Sequence, residues 1–207
     1  MSSGTEIIFF GDFNCPFCFA ESERLARLGA TGDLAFRAIE HRPDLPVPWD
    51  RGAERIDQVF EDEIPRLRER APEVPLLDPP AIPNTREANL AMAQCEELAP
   101  ERCADLRLAI FRALWRDQKD ISSRTLVTEI WEQLGLGERP PVTRDHRRKV
   151  RVWAVEWDTG PFDRRIPVLS TASGQRLLGL ANPDAIANFL RDTSLGGHGT
   201  EVCRAED

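Results

Sequence analysis

A chain of 207 residues with 41% apolar content is long enough to bury one substantial core. Its formal charge of -8 gives none of the positive footprint that non-specific nucleic-acid binding requires. No run approaches the roughly 18 apolar residues of a membrane span, and Met1 to Glu6 lack a basic segment followed by an apolar one. A cytoplasmic protein is therefore expected, with neither nucleic acid nor membrane as partner. Five cysteines are too few to scaffold a chain of this size, so a close pair of them points to chemistry.

Residues 5 to 10 read as a buried strand that empties into Cys15-Pro16-Phe17-Cys18 and then a helix over 16 to 28, with Pro16 in its first turn, where a missing N–H costs nothing. Leu34 to Ile39 supply a second apolar strand and complete a β-α-β unit. From Pro43 to Pro83 the chain carries nine prolines, five of them from Pro72 onward. That composition predicts a constrained surface path with one short helix near 53 to 70.

Ala88, Ala91, Met92, Cys95 and Leu98 share one helical face, and Cys103, Leu106, Ile110 and Leu114 share another, with Pro100 near the start of the second helix. Ser122 or Ser123 can cap a helix through Leu126, Ile130 and Leu134 that stops at Gly135. His146, Val150, Trp153, Ala154 and Trp157 form the stripe of a further helix. On it the basic run Arg144, Arg147, Arg148, Lys149 and Arg151 reads as a solvated face. Ile166 to Leu169, a turn at Ser173-Gly174, Arg176 to Gly179 and a helix from Asn182-Pro183 to Leu190 then read as strand, hairpin, strand and helix.

This order predicts an α/β thioredoxin-like fold, β-α-β … β-β-α, interrupted by a large helical insertion. The expected boundaries are 1–42 and 162–192 for the thioredoxin-like part, 43–161 for the insertion, and 193–207 for a mobile tail.

The Cys-x-x-Cys pair at a helix start reads as thiol-disulfide redox chemistry. A pair of zinc ligands is the alternative, but no second Cys-x-x-Cys or His-x-x-x-His accompanies it, and His41, His146 and His198 are scattered. No metal is expected.

Asp12-Phe13-Asn14-Cys15-Pro16-Phe17-Cys18-Phe19 resembles the active site of the cytoplasmic DsbA-like proteins, the group of FrnE-type oxidoreductases, 2-hydroxychromene-2-carboxylate isomerases and kappa-class glutathione transferases. Arg42 to Pro48 is compatible with the proline-containing exit from that family's second strand. Asn84 to Ala88, Ile110 to Trp115, Asp120-Ile121 and Gly135-Leu136 are similar to its helical insertion. The resemblance spans about residues 5 to 191.

It implies that Pro167 is cis, faces the cysteine pair, and turns the Ile166 backbone toward an extended substrate. Cys15 is then the attacking thiol and Cys18 the resolving one, with Pro16, Phe17, Ile166 and Pro167 as substrate contacts. Strongly oxidising relatives resemble one another in carrying histidine where Phe17 stands, so a milder couple is expected.

The function implied is a dithiol-disulfide oxidoreductase acting on protein or low-molecular-weight disulfides. It requires no cofactor, with glutathione as a conceivable co-substrate that Arg164 and Arg165 could meet. A glutathione-dependent isomerase or transferase is the first alternative, although such relatives typically place Ser at the position of Cys15; a client-binding protein without turnover is the second. Asp12, Glu21 and Glu40 are equal candidates to relay a proton to Cys18. Cys95 and Cys103 read as buried small hydrophobes or as a second disulfide across the Pro100 turn, and Cys203 as a possible shuttling thiol. The sequence leaves the oligomeric state open.

Overall fold

The computed structural model describes residues 7–30, 34–50, 58–194 and 202–204. Strand β1 (Ile7–Gly11) leads into helix α1 (Pro16–Arg27) and returns through β2 (Leu34–Ala38). Helices α2 (Gln58–Arg70), α3 (Arg86–Leu98), α4 (Cys103–Trp115), α5 (Arg124–Gln133) and α6 (Arg144–Thr159) follow. A 3-10 turn, Pro100–Arg102, separates α3 from α4. Strands β3 (Val168–Thr171) and β4 (Arg176–Leu178), helix α7 (Pro183–Ser194) and strand β5 (Val202–Arg204) close the chain.

The sheet order is β2-β1-β3-β4-β5. β1 pairs parallel with β2 and antiparallel with β3, β3 pairs antiparallel with β4, and β4 parallel with β5. This is the thioredoxin-like arrangement expected from the sequence. The register fixes where the connecting loops meet: Gly11 stands opposite Ala38, Phe10 opposite Val168, and Val168 opposite Leu178. The chain leaving β1, the chain leaving β2, the chain entering β3 and the chain leaving β4 therefore converge at one end of the sheet.

Several element ends differ from the expected ones for local reasons. β3 begins at Val168 rather than Ile166, because Pro167 has no N–H to give a ladder. Of the two expected caps for α5, Ser123 serves, its hydroxyl accepting the Leu126 N–H at 3.4 Å, while Ser122 bonds Asp120. The ordered chain was expected to end at Asp192, yet α7 reaches Ser194 and Val202–Arg204 pairs with β4. Of the helix expected near 53 to 70, residues 53–57 lie outside the described residues.

The core runs without a break from the sheet into the helices. Phe9 and Phe13 from the β1 region, Phe36 from β2, Phe19 from α1, and Phe111 and Trp115 from α4 are all buried together. Phe13 and Phe111 have ring centroids 4.8 Å apart, and Phe13 and Phe36 meet edge-on at 5.4 Å, geometries that add to area burial. The indole N–H of Trp115 donates to the Phe13 carbonyl at 2.9 Å. That bond ties the loop before the cysteine pair to the helical segment and satisfies a carbonyl that burial would otherwise leave unpaired. Among the described residues no helix is long and apolar enough to cross a membrane.

Candidate active site at the strand ends

The turn after β1 is held by one local and one long-range bond: Cys15 N–H donates to the Asp12 carbonyl at 3.1 Å, and Ile39 N–H, just past β2, to the Gly11 carbonyl at 2.9 Å. Cys15 is the N-cap of α1, with extended φ and ψ, and its sulfur accepts the Cys18 N–H at 3.3 Å. A sulfur in the N-cap position satisfies a helix donor that has no backbone partner and receives partial positive charge in return. Pro16 is the first helical residue, where its ring is preorganised for the helix.

The two thiols are unequal. Both are free, but Cys15 is half-buried while Cys18 is fully buried beneath it. Burial pushes the Cys18 thiol well up, and hydrogen bonding to Cys15 raises it further. The Cys18 sulfur also packs over Gly11, where an added Cβ would lie 3.2 Å from it.

A cavity of about 480 Å³ opens beside Cys15. Phe17 and Ile166 join Cys15 in its lining, whereas Pro16 and Pro167 are buried. The Ile166–Pro167 peptide bond is cis, as is Val47–Pro48. Arg164 and Arg165 line the cavity too, together with His41 and Arg42 from the exit of β2, Leu180 after β4, and Glu63 and Arg70 from α2. The residues from α2 had no signal in the sequence, since nothing local announces that this helix docks over the strand ends. Arg70 is anchored by a 2.9 Å bond to the Leu180 carbonyl, and Arg164 pairs with Asp158 at 2.9 Å. Burial raises the Glu63 carboxyl, with Arg66 partly offsetting it.

The three candidate proton carriers separate clearly. Glu40 is engaged by Asn84 at 3.1 Å and Arg86 at 3.2 Å. Glu21 is buried without a side-chain partner; burial pushes it up to about 8, with the Arg24 charge and the Ala181 backbone offsetting part. Asp12 is also fully buried and pushed up to about 6 by burial, against hydrogen bonds led by the His41 N–H at 2.8 Å. Of the three, Asp12 alone acts on Cys18: its backbone hydrogen bond lowers the thiol, and its charge, the smaller effect, raises it. One of its oxygens, Oδ1, lacks a partner. The other lies 3.7 Å from the His41 ring, which faces the cavity and is held below its usual range by burial and by Arg164.

His146, on the apolar stripe of α6, is buried: its Nδ1 accepts the Thr143 N–H at 3.0 Å and its Nε2 meets Glu97 at 3.0 Å. Arg144, Arg147, Arg148 and Arg151 of the basic run are exposed on α6. Nothing is described of the Cys203 side chain.

No curated protein sequence matches the chain. Three solved structures illustrate its likeness in shape. A proposed protein disulfide isomerase from Nitrosomonas europaea is 18% identical with a TM-score of 0.75, covering 95% of this chain and 100% of that one. A cytosolic disulfide reductase, DsbM from Pseudomonas aeruginosa, solved with GSH, is 18% identical with a TM-score of 0.62, covering 90% and 97%. A 2-hydroxychromene-2-carboxylate isomerase is 15% identical with a TM-score of 0.56, covering 92% and 94%. At such identities these likenesses concern the fold. Residues 6–145, more than half of the chain, match the DSBA-like thioredoxin domain, and the chain belongs to that family.

Proposed function

We propose that this protein is a dithiol-disulfide oxidoreductase in which Cys15 attacks and Cys18 resolves. The observation that carries the reading is the pairing of a half-buried Cys15 at the cavity with a fully buried Cys18 whose N–H donates to its sulfur. In the reducing direction the Cys15 thiolate attacks one sulfur of a substrate disulfide, forming a mixed disulfide and expelling the other sulfur as a thiolate. Cys18 then gives its proton to Asp12 and attacks the Cys15 sulfur, so that the second substrate thiolate leaves and a Cys15–Cys18 disulfide remains. Two electrons pass from the protein to the substrate. The reverse sequence oxidises a dithiol.

In the same reading, Asp12 passes its proton toward the cavity past His41, and Phe17 and Ile166 offer an apolar surface beside the reacting sulfur. The four arginines at the cavity favour a disulfide that carries carboxylates, the chemistry of glutathione, over a neutral one. Working in the cytoplasm against a glutathione pool fits that preference. The test is a glutathione redox series on the purified chain. A reversible change of two thiols at Cys15 and Cys18, lost in Cys15→Ser, is expected. Glutathione-dependent turnover of an aromatic substrate that survives Cys15→Ser would instead favour an isomerase or transferase.

A further inference from the structure

A second pair of thiols lies where α3 turns into α4, outside the residues that line the cavity beside Cys15. The Cys95 sulfur sits 3.5 Å and the Cys103 sulfur 3.9 Å from the same carbonyl oxygen, that of Ala99. Each sulfur acts on the other, holding Cys95 down and pushing Cys103 up, so that of the two Cys95 gives up its proton first. Cys95 is fully buried, and Cys103 is half-buried.

A buried cation stands one turn further along α4. Arg107 is 1% exposed. Its Nε donates to Ser22 at 3.0 Å and its guanidinium lies 5.4 Å from the ring centroid of Phe9 and 5.7 Å from that of Phe36, yet NH1 has no partner. Burying a guanidinium without a carboxylate is costly, and a negative charge at Cys103 would relieve it, as the mutual attraction of the two groups indicates. Two small hydrophobes in a core give no reason for a buried cation one turn away with an unpartnered NH1.

We propose that Cys95 and Cys103 form a second redox site, a dithiol that low-molecular-weight disulfides oxidise to an intramolecular disulfide across the Pro100 turn. Cys103 is the entry sulfur, because it is the one reached from solvent. Cys95 gives up its proton first, and its thiolate takes the proton of Cys103 as the Cys103 sulfur attacks a small disulfide RSSR, forming Cys103–S–SR and releasing RS⁻. Cys95 then transfers its proton to that thiolate and attacks the Cys103 sulfur, releasing the second RS⁻. Two protein thiols are oxidised and one RSSR is reduced to two thiol products, so atoms and electrons balance.

The test uses the full chain, equilibrated with glutathione and glutathione disulfide over a range of ratios, alkylated and digested with trypsin. Cleavage after Arg102 puts the two sulfurs on different peptides, so a Cys95–Cys103 crosslink is directly distinguishable from one joining Cys15 and Cys18. The expected result is simultaneous loss of both thiols as the ratio becomes more oxidising, with that crosslink as product. It should persist in a folded Cys15→Ser, Cys18→Ala variant, which separates this site from the other. In Cys95→Ala, oxidation should stop at one glutathione on Cys103. Both thiols remaining alkylatable at the oxidising limit would overturn the proposal, as would a stable glutathione adduct on wild-type Cys103 with Cys95 still free. Absence of the adduct in Cys95→Ala would overturn the assignment of Cys103 as entry sulfur.

Discussion

Replacing Asp12 by Asn tests whether the buried carboxyl carries the resolving proton at the expense of stability. Burial lifts this group from 3.8 to about 6, so the folded state binds its proton more tightly than the unfolded chain does. The sign follows by linkage: the carboxyl contributes no penalty below pH 3.8, a growing one between 3.8 and 6, and the full one above. At 1.36 kcal/mol per unit the full penalty is about 3 kcal/mol. Asn keeps an oxygen for the His41 N–H but brings an NH2 whose lack of a partner costs about 1–3 kcal/mol, so the net change at pH 7 alone decides little. The difference between two pH values is independent of that cost. Urea unfolding in reductant should show the stability of Asp12→Asn relative to wild type improving by about 2–3 kcal/mol from pH 4 to pH 7. In single-turnover reaction with a mixed disulfide, resolution by Cys18 should slow by about 100-fold and lose its rise near pH 6. A variant that tracked wild type in both measurements would refute the reasoning.

Glu21→Gln should remove a second pH dependence. With Glu21 raised to about 8, wild type loses about 3 kcal/mol from this group between pH 5 and 7.5, read by urea unfolding against the variant; identical pH curves would contradict the placement. Gly11→Ala puts a Cβ 3.1 Å from the Phe36 ring, 3.2 Å from the Cys18 sulfur and 3.3 Å from the Phe9 ring. A loss of about 1–3 kcal/mol is expected from overpacking, together with altered Cys18 reactivity in timed alkylation, and an unchanged midpoint would count against so close a fit. Phe17→His places a donor at the cavity beside Cys15 and should make the couple more oxidising by about 30 mV or more, measured in a glutathione series. No shift would mean that Phe17 does not tune the pair.

The parts of this fold legible in sequence are those set by local chemistry. An apolar run ending at Cys15-Pro16-Phe17-Cys18 announces a strand, a redox turn and a helix, because Pro16 at the first helical position and a sulfur at the cap are short-range features. Pro167 marks the approach to β3 for the same reason, though it delays the strand itself to Val168. What escaped depends on register and docking. Glu63 and Arg70 reach the cavity only because α2 packs over the strand ends. Arg107 has no signal in the sequence, because a charged residue beside an apolar stripe reads as solvent-facing, whereas the rings of Phe9 and Phe36 cover it. The chain leaves the sheet at Ala38 and rejoins it at Val168, yet Phe111 and Trp115 of the intervening segment belong to the same buried cluster as Phe9 and Phe36.

The buried charges around α1 show why Asp12 rather than Glu21 is assigned the proton. Glu23, 2% exposed, receives two bonds from Arg112 at 2.7 and 3.1 Å and one from Arg116 at 2.9 Å. Arg24 is shared among Glu73 and the carbonyls of Arg70 and Ala181. Those ions are paired, so removing a partner would strand a charge rather than alter a proton. Asp12 and Glu21 are the under-bonded acids, and unpaired burial is what makes a carboxyl titrate near neutrality. They differ in their reach: the Asp12 charge raises the Cys18 thiol, against a larger lowering by the Asp12 backbone hydrogen bond, whereas no cysteine acts on Glu21. Two substitutions with similar effects on pH-dependent stability should therefore part in kinetics. Asp12→Asn changes the pH profile of Cys18 resolution, and Glu21→Gln leaves it within about twofold of wild type, as expected for a group that does not exchange protons with the reacting atoms. If Glu21→Gln instead abolished the rise near pH 6, Glu21 and not Asp12 would be the carrier.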